Sequence, residues 1–354
     1  MKILQVILLP LSFCYGLLMK VRNLFFDLGI LPVKEFDRAV ISVGNLSFGG
    51  TGKTPQIEYL IRLLTPAFCI ATLSRGYGRT SSGFIIASKK SNVKYVGDEP
   101  LQFIKKFDNI KVAVDEKRSR GIELLLEKHP ETDVILLDDA FQHRYVKPGL
   151  SILLTDYHKL YTEDHVLPSG TLREFKTGAG RADLIIVTKT PKIFSPITRR
   201  RIIDDIKPLK HQTVLFSFLK YGELVPVFDT LKMEIPGRVT NILLFTGIAN
   251  DYPLSEHLAR TCSEVVPVKF PDHHVYSEKD IARISQTFHN LPTQKKLIVT
   301  TEKDVMRLKT PELSTILKNL PLFYVPVEVD FHGTDKQLFD NVILSYVNKN
   351  KRNH

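Results

Sequence analysis

The segment Asn45-Leu46-Ser47-Phe48-Gly49-Gly50-Thr51-Gly52-Lys53-Thr54 places three glycines, an amine and a hydroxyl directly before Pro55. That combination suits phosphate. Glycines let backbone N–H groups turn inward onto phosphate oxygens, and a helix opening at Pro55 adds the positive end of its dipole. Lys53 would reach the β- and γ-phosphates and Thr54 would ligate Mg²⁺, with Ser47 to Thr54 cradling a nucleoside triphosphate. Ser47 stands where the general G-x-x-x-x-G-K-[ST] pattern has its first glycine. An ordinary glycine-rich turn would not explain Lys53-Thr54 at a helix start.

Magnesium needs a partner carboxylate, and Val134-Ile135-Leu136-Leu137 followed by Asp138-Asp139 supplies a strand-length apolar run ending in two acids. Many strands end in aspartate, so this run gains its meaning from the glycine loop. Together they predict a phosphoryl-transfer site at the edge of a parallel sheet.

The elements that must hold these groups follow from periodicity. Ala39–Val43, Cys69–Leu73, Val134–Leu137, Ser151–Leu154 and Leu184–Thr188 read as buried parallel strands, while Ile57, Leu60, Ile61 and Leu64 recur at helical spacing. This is the βαβ rhythm of a doubly wound sheet. A second series, Ile242–Phe245, Val265–Val268, Leu297–Thr300 and Leu322–Val327, alternates with helical stretches around Leu254–Leu258 and Ile281–Phe288. The expected fold class is α/β, a P-loop doubly wound parallel sheet with a second, smaller α/β domain. The predicted division is 1–35 for an N-terminal membrane-associating segment, 36–212 for the nucleotide-binding domain and 213–232 for an extended connection. Residues 233–330 form the second domain and 331–354 a C-terminal helix and basic tail.

With 354 residues the chain exceeds what one core usually organises. A formal net charge of +11 favours anionic partners such as nucleotide, nucleic acid or an acidic membrane surface. Nucleic acid is disfavoured, because Lys and Arg form only short runs such as Lys349 to Arg352 and no paired Cys/His module is present. Cys14, Cys69 and Cys262 are isolated, so neither a disulfide framework nor a zinc site is indicated.

From Ile3 to Met19 the chain is almost wholly apolar, with Lys20 and Arg22 following. That is slightly short for a membrane span of about 20 residues, and Pro10 is expected to interrupt it. A membrane-surface helix or marginal insertion fits best, with a buried structural helix as the alternative. A secretory signal lacks its small-residue cleavage site here.

Further clusters are hard to assign to packing: Ser74-Arg75-Gly76-Tyr77-Gly78-Arg79, Gly97-Asp98-Glu99-Pro100, Phe141-Gln142-His143-Arg144, Pro168-Ser169-Gly170-Thr171-Leu172-Arg173-Glu174, Asp272-His273-His274 and Thr300-Thr301-Glu302-Lys303-Asp304. With these in view the chain resembles the lipid A 4′-kinase family, tetraacyldisaccharide 4′-kinase, in order along most of its length. The glycine loop, Arg75 to Arg79 and Asp138-Asp139 with Gln142-His143 are together specific to it, and that family also lacks glycine at the position of Ser47.

The resemblance implies Mg·ATP-dependent transfer of phosphate to the 4′-hydroxyl of an acylated glucosamine disaccharide 1-phosphate, at the cytoplasmic face of a bacterial inner membrane reached through the apolar N-terminus. It implies two α/β/α units joined by a two-stranded connection, with the active site in the cleft between them. A monomer is expected. A sugar hydroxyl is a weak nucleophile, so a carboxylate should take its proton. By resemblance this base is Asp98, supported by His273, although His274 is nearly as good a choice. Glu174 is carried over as an additional magnesium-side carboxylate beside Thr54, Asp138 and Asp139. Asn45, Arg75, Gly76, Tyr77, Arg79, Gln142, His143 and Arg173 are the substrate-side set.

Structural alternatives stand beside these roles. Asp98 could form a turn after Gly97, His273 and His274 could cap or pack, Arg75 and Arg79 could be solvated loop charges, and Arg173-Glu174 a surface pair. Thr300 or Thr301 could cap a helix. The rival from another class is a membrane-cycling nucleotide switch. Against it, Thr188-Lys189-Thr190-Pro191 lacks the aspartate of a guanine-specificity motif, and Phe48 occupies the place of the lysine that Gly-Gly switch ATPases carry. A kinase for a soluble small molecule would leave the apolar N-terminus unexplained.

Overall fold

The computed structural model describes residues 3–228 and 239–350. Residues 229–238, which include part of the expected connection and second domain, and Lys351 and Arg352 of the basic tail lie outside the described residues. Two compact units form, one from Met1–Leu219 with Val329–His354 and the other from Lys220–Glu328.

Along the chain the strands are β1 (Ala39–Asn45), β2 (Ile70–Ser74), β3 (Ile85–Ile86), β4 (Ile110–Val114), β5 (Val134–Asp138), β6 (Leu150–Asp156), β7 (Leu184–Thr188) and β8 (Thr213–Tyr221). There follow β9 (Val225–Pro226), β10 (Asn241–Thr246), β11 (Glu264–Lys269), β12 (Lys296–Thr301), β13 (Leu322–Val325) and β14 (Val327–Phe331). Among the described residues one sheet runs β14-β8-β7-β6-β1-β5-β2-β4-β3 and the other β11-β10-β12-β13-β9. Neighbours from β8 to β4 are parallel, as are β11, β10, β12 and β13, whereas the short β3 and β9 pair antiparallel at the edges. The strand order reverses at β1, which lies between β5 and β6, so a loop leaving the carboxyl end of β1 opens where such sheets bind ligands.

The helix Lys53–Leu64 explains the first core. Ile57, Leu60, Ile61 and Leu64 are completely buried, as their spacing predicts, and each contributes about 1.5–3 kcal/mol by leaving water. Glu58 on the same helix is also buried; Lys106 (2.7 Å), Gln102 (2.8 Å) and Arg62 (3.1 Å) surround its carboxylate. The second unit has its own core, with Leu243, Phe245, Ile281, Ile284, Ile298 and Leu322 at its centre.

Two expectations are corrected. Leu322–Val327 is not one strand: it ends at Val325, and after Pro326 the chain continues as β14, next to β8 in the other sheet. Proline has no N–H for a ladder, so it marks the change of sheet. Pro10 does not interrupt the N-terminal segment, which forms a single helix, Ile3–Asp27. One missing hydrogen bond is absorbed by the turns on either side. Gln5–Asp27 is long and apolar enough to cross a membrane by length and composition. Its Ile7, Leu11, Phe13 and Leu18 are exposed, while Ser12 is buried and accepts a hydrogen bond from the Ser169 N–H at 2.8 Å. Gly16 is required at its position, because a Cβ there would lie 2.5 Å from the Phe175 ring.

The C-terminal helix Asp335–Lys349 belongs to the first unit. The Tyr346 hydroxyl accepts from the Val40 N–H (3.0 Å) and donates to the Val40 carbonyl (3.1 Å), and the Tyr59 hydroxyl donates to Asp340 (2.8 Å). Tyr346→Phe leaves a buried Val40 N–H without its acceptor, a cost of about 1–3 kcal/mol. The expected result in urea is a lower unfolding midpoint at unchanged slope; an unchanged midpoint would show that the hydroxyl contributes nothing to holding this helix.

Candidate active site

β1 delivers the phosphate loop. Buried Asn45 donates its amide to the Thr51 hydroxyl at 2.8 Å, and its Oδ1 lies 3.4 Å from Lys53 Nζ, so one side chain fixes both ends of the turn. Gly52 has φ +86°, a conformation costly for any side chain, and directly precedes Lys53, the first residue of its helix. Gly49 has φ +116°. Gly50 and Thr51 present their carbonyls to the Lys189 amine and, at 2.8 Å, to the Thr188 hydroxyl.

Ser47 has a physical reason. It forms an antiparallel bridge to Leu172, flanked by Phe48 N–H to Thr171 O (2.7 Å) and Arg173 N–H to Leu46 O (2.7 Å). An extended, paired residue has no need of glycine's freedom. The same pairing carries Arg173 to the loop, where its guanidinium lies 4.6 Å from the centre of the exposed Phe48 ring.

The two acids at the end of β5 have opposite environments. Asp138 is buried, and neither of its carboxylate oxygens has a hydrogen-bond partner. Burial, with the charges of Glu99 and Asp139 adding to it, pushes its carboxyl up to about 8. Asp139 takes φ +48° and turns to the chain's own cations: Arg173 grips it with contacts of 2.9, 3.0 and 3.1 Å, and Lys53 stands 3.6 Å away. Burial opposes its ionisation, but Lys53 and Arg173 outweigh that and hold its carboxyl below the usual range. Thr54 donates its hydroxyl to Glu99 at 3.0 Å.

These positions bear on the expected metal set, Thr54, Asp138, Asp139 and Glu174. Among the described residues no group of three or more His, Cys, Asp or Glu side chains could hold a metal ion alone. Asp139 is committed to Arg173 and Lys53. Glu174 is held elsewhere: Asn23 donates to its Oε2 (2.7 Å), and Gln142 (3.1 Å) and Arg181 (2.7 Å) donate to its Oε1. Thr54, Asp138 and Glu99, a hydroxyl and two carboxylates, stand together beside the phosphate loop. That set fits an ion which completes its octahedron with nucleotide phosphates and water, and the orphaned oxygens of Asp138 are the feature such an ion would satisfy.

The other expected residues divide. Gln142 is central, donating to the Asn45 carbonyl at 3.0 Å and accepting from Arg173 at 3.4 Å. Burial and the nearby Arg118 charge pull His143 down to about 4, so its ring is neutral at physiological pH. Arg75 and Tyr77 are exposed, with Gly76 between them buried at φ +70°. The Arg79 guanidinium is enclosed, paired with Glu116 and donating to the Gly83 carbonyl at 2.8 Å, with its Nε and Nη1 buried and unpartnered.

Asp98 is buried at the start of the helix Asp98–Lys106, where its Oδ1 accepts the Glu99 N–H at 2.9 Å. In the second unit, His273 has φ +59°, with Lys303 Nζ 3.2 Å from its Nε2 and Arg307 Nη2 3.3 Å from its Nδ1. His274 pairs with Asp280 at 3.1 Å and stacks on Phe270, a packing arrangement. The Thr301-Asp304 stretch is a cap: the Thr301 side chain accepts the Asp304 N–H, and fully buried Asp304 binds the Gly247 N–H, Tyr276 and Arg307.

Three participants escaped sequence reasoning. Glu99 was in view beside Asp98, and its position one residue into a helix start was the available signal. Arg118, buried with Nη2 3.3 Å from the Asp138 carbonyl, gave none within its charged run. Asn23 was masked by its apolar surroundings.

The tetraacyldisaccharide-1-P 4′-kinase family model matches residues 4–348. A tetraacyldisaccharide 4′-kinase of Bacteroides thetaiotaomicron is 46% identical over 98% of this chain and 94% of its own length. One from Flavobacterium johnsoniae is 44% identical over 99% of each. The crystal structure of LpxK from Aquifex aeolicus in complex with ATP superposes with a TM-score of 0.71 at 28% identity, covering 98% of this chain and 100% of the other.

Glu99→Gln keeps a partner for Thr54 but removes a negative charge from the proposed ion site. The expected outcome is a Mg²⁺ requirement raised by about tenfold or more, each decade being ~1.4 kcal/mol, with metal-free nucleotide binding unchanged. A Mg²⁺ titration matching that of the unmodified chain would exclude Glu99 from the ion.

Proposed function

The chain belongs to the tetraacyldisaccharide-1-P 4′-kinase family, and from that premise we propose how its residues divide the reaction. It is a kinase that uses ATP and Mg²⁺ to phosphorylate the 4′-hydroxyl of an acylated glucosamine disaccharide 1-phosphate in lipid A biosynthesis.

The phosphate loop, Ser47 to Thr54, holds the triphosphate, with Lys53 at its β- and γ-phosphates. Thr54, Asp138 and Glu99 would hold Mg²⁺, which would supply charge neutralisation at the transferring phosphate. Lys53 is kept from drifting by Asn45 and Asp139, and Asp139 in turn is oriented by Arg173. The observation that carries this reading is the pair of buried, unpartnered oxygens on Asp138 beside the phosphate loop.

Asp98 takes the proton of the acceptor hydroxyl. It is buried at the start of the helix Asp98–Lys106, where its Oδ1 accepts the Glu99 N–H. His273 supports it, and of the two adjacent histidines the choice rests on His274 being committed to Asp280 and Phe270. Exposed Arg75, with Tyr77, meets the anionic disaccharide, Arg offering planar paired donors to phosphate. The active species is one chain. The N-terminal helix lies on the cytoplasmic surface of the inner membrane, a reading supported by its exposed Ile7, Leu11, Phe13 and Leu18 and by its inward Ser12 and Gly16.

The test is γ-labelled ATP with the disaccharide 1-phosphate lipid or with buffer. Label on the lipid 4′-position is expected, and hydrolysis indifferent to the lipid would sink the assignment. Asp98→Asn should retain ATP binding and lose about 10²–10⁴-fold in turnover, the worth of a positioned base. Turnover above a tenth of the parent would remove Asp98 from that role.

A further inference from the structure

The N-terminal helix does more than display apolar side chains. Asn23 points into the first unit and gives its amide to Glu174 Oε2 at 2.7 Å, where Glu174 is 2% exposed. The other oxygen of Glu174 receives Gln142 Nε2 at 3.1 Å, and that amide is shared with the Asn45 carbonyl at 3.0 Å. From Gln142 two routes reach the same amine. Through Asn45, Oδ1 is 3.4 Å from Lys53 Nζ. Through Arg173, which donates to Gln142 Oε1 at 3.4 Å and grips Asp139, the Asp139 carboxylate is 3.6 Å from Lys53.

The neighbouring contacts fix the helix in register on this path. Arg22 reaches the Gln142 carbonyl at 3.4 Å, Arg144 donates to the Asn23 carbonyl at 2.8 Å, and Gly16 seats against Phe175, the residue after Glu174. A helix serving only as an anchor would need apolar contacts alone. Here a buried carboxylate takes one donor from the helix and two from the body, so the carboxylate's orientation, and that of Gln142 against it, depends on the helix being in place.

We propose that Asn23 is a positioning residue for phosphoryl transfer, coupling the seating of the N-terminal helix to Lys53 through Glu174 and Gln142. The inference rests on the kinase reading of the phosphate loop, and transfer of label by the unmodified full chain tests that reading separately. Removing the Asn23 amide leaves Glu174 Oε2 buried without its donor, so Glu174 and Gln142 repack and Lys53 loses its fixed position. Displacing a reacting geometry by about 1 Å costs up to 10²-fold in rate. Membrane attachment, which uses the opposite face, is untouched.

The experiment uses the full chain, ATP and the disaccharide 1-phosphate lipid in anionic phospholipid vesicles, with the unmodified chain active. Asn23→Ala is expected to lower kcat about tenfold or more, with KM for lipid and vesicle co-sedimentation within about threefold of the parent. Asn23→Asp has the same shape but sets a negative charge against Glu174, and its kcat should fall further; it carries the test if Asn23→Ala does not fold. Combining Asn23→Ala with Gln142→Ala should cost less than the product of the two single losses, because they break one path. A kcat within twofold of the parent for both Asn23 variants overturns the proposal. So does a loss of activity matched by a loss of vesicle binding, or a fully multiplicative double variant.

Discussion

A carboxylate buried at the end of a parallel strand with neither oxygen satisfied is the constraint around which the first unit is built. Burying polar oxygens without hydrogen-bond partners is costly, and although Lys53 and Arg118 favour its ionised form, burial outweighs them at Asp138. A cation bound with the nucleotide, as proposed, would supply the partner those oxygens lack. Its neighbour is treated in the reverse way. A left-handed turn at Asp139 swings that carboxylate away from Asp138 and onto Arg173 and Lys53. Two adjacent aspartates thereby meet opposite surroundings, one engaged by the chain's own cations and one without a hydrogen-bond partner.

Everything that serves this pair comes from strand ends on one edge. Because β1 lies between β5 and β6, its glycine loop emerges beside Asp138, and the register pairing Val43 with Asp138 sets the two endings side by side. The loop is then clamped from the other side by Leu172 and Arg173, and from below by Thr188 and Lys189. A phosphate loop gains from rigidity, since donors fixed before the ligand binds lose little freedom on binding.

Much of this was legible in the sequence. Apolar runs gave the central strands to within a residue or two, and the spacing of Ile57, Leu60, Ile61 and Leu64 gave the buried helix face. The strand Ile110–Val114 escaped because exposed Lys111 breaks its apolar run, and Leu322–Val327 was misjoined because hydropathy does not report which sheet a strand joins. At the site, residue types near the loop were readable, whereas their pairings were not. Charge alone does not show that Arg79 pairs with Glu116, or that Glu174 takes donors from Asn23, Gln142 and Arg181. Such partners lie far apart in the chain, 151 positions for Asn23 and Glu174, and no local pattern reports them.

The N-terminal helix illustrates the same limit from the opposite direction. Ser12, Gly16 and Asn23 are four and seven residues apart, which sets them on one face of a helix, yet among so many apolar residues they read as gaps in a hydrophobic segment. In the folded unit those gaps are the docking face: a hydroxyl for the Ser169 N–H, space for the Phe175 ring and an amide for Glu174. Withdrawing the helix into a bilayer would strand these groups on both sides, leaving Asn23 without an acceptor in hydrocarbon and Glu174 Oε2 without its donor. Polar groups at membrane depth need internal partners, and here the partners belong to the body of the enzyme. The arrangement that leaves every one of these partners satisfied keeps Asn23 on the protein, with the apolar side chains on the helix's outer face.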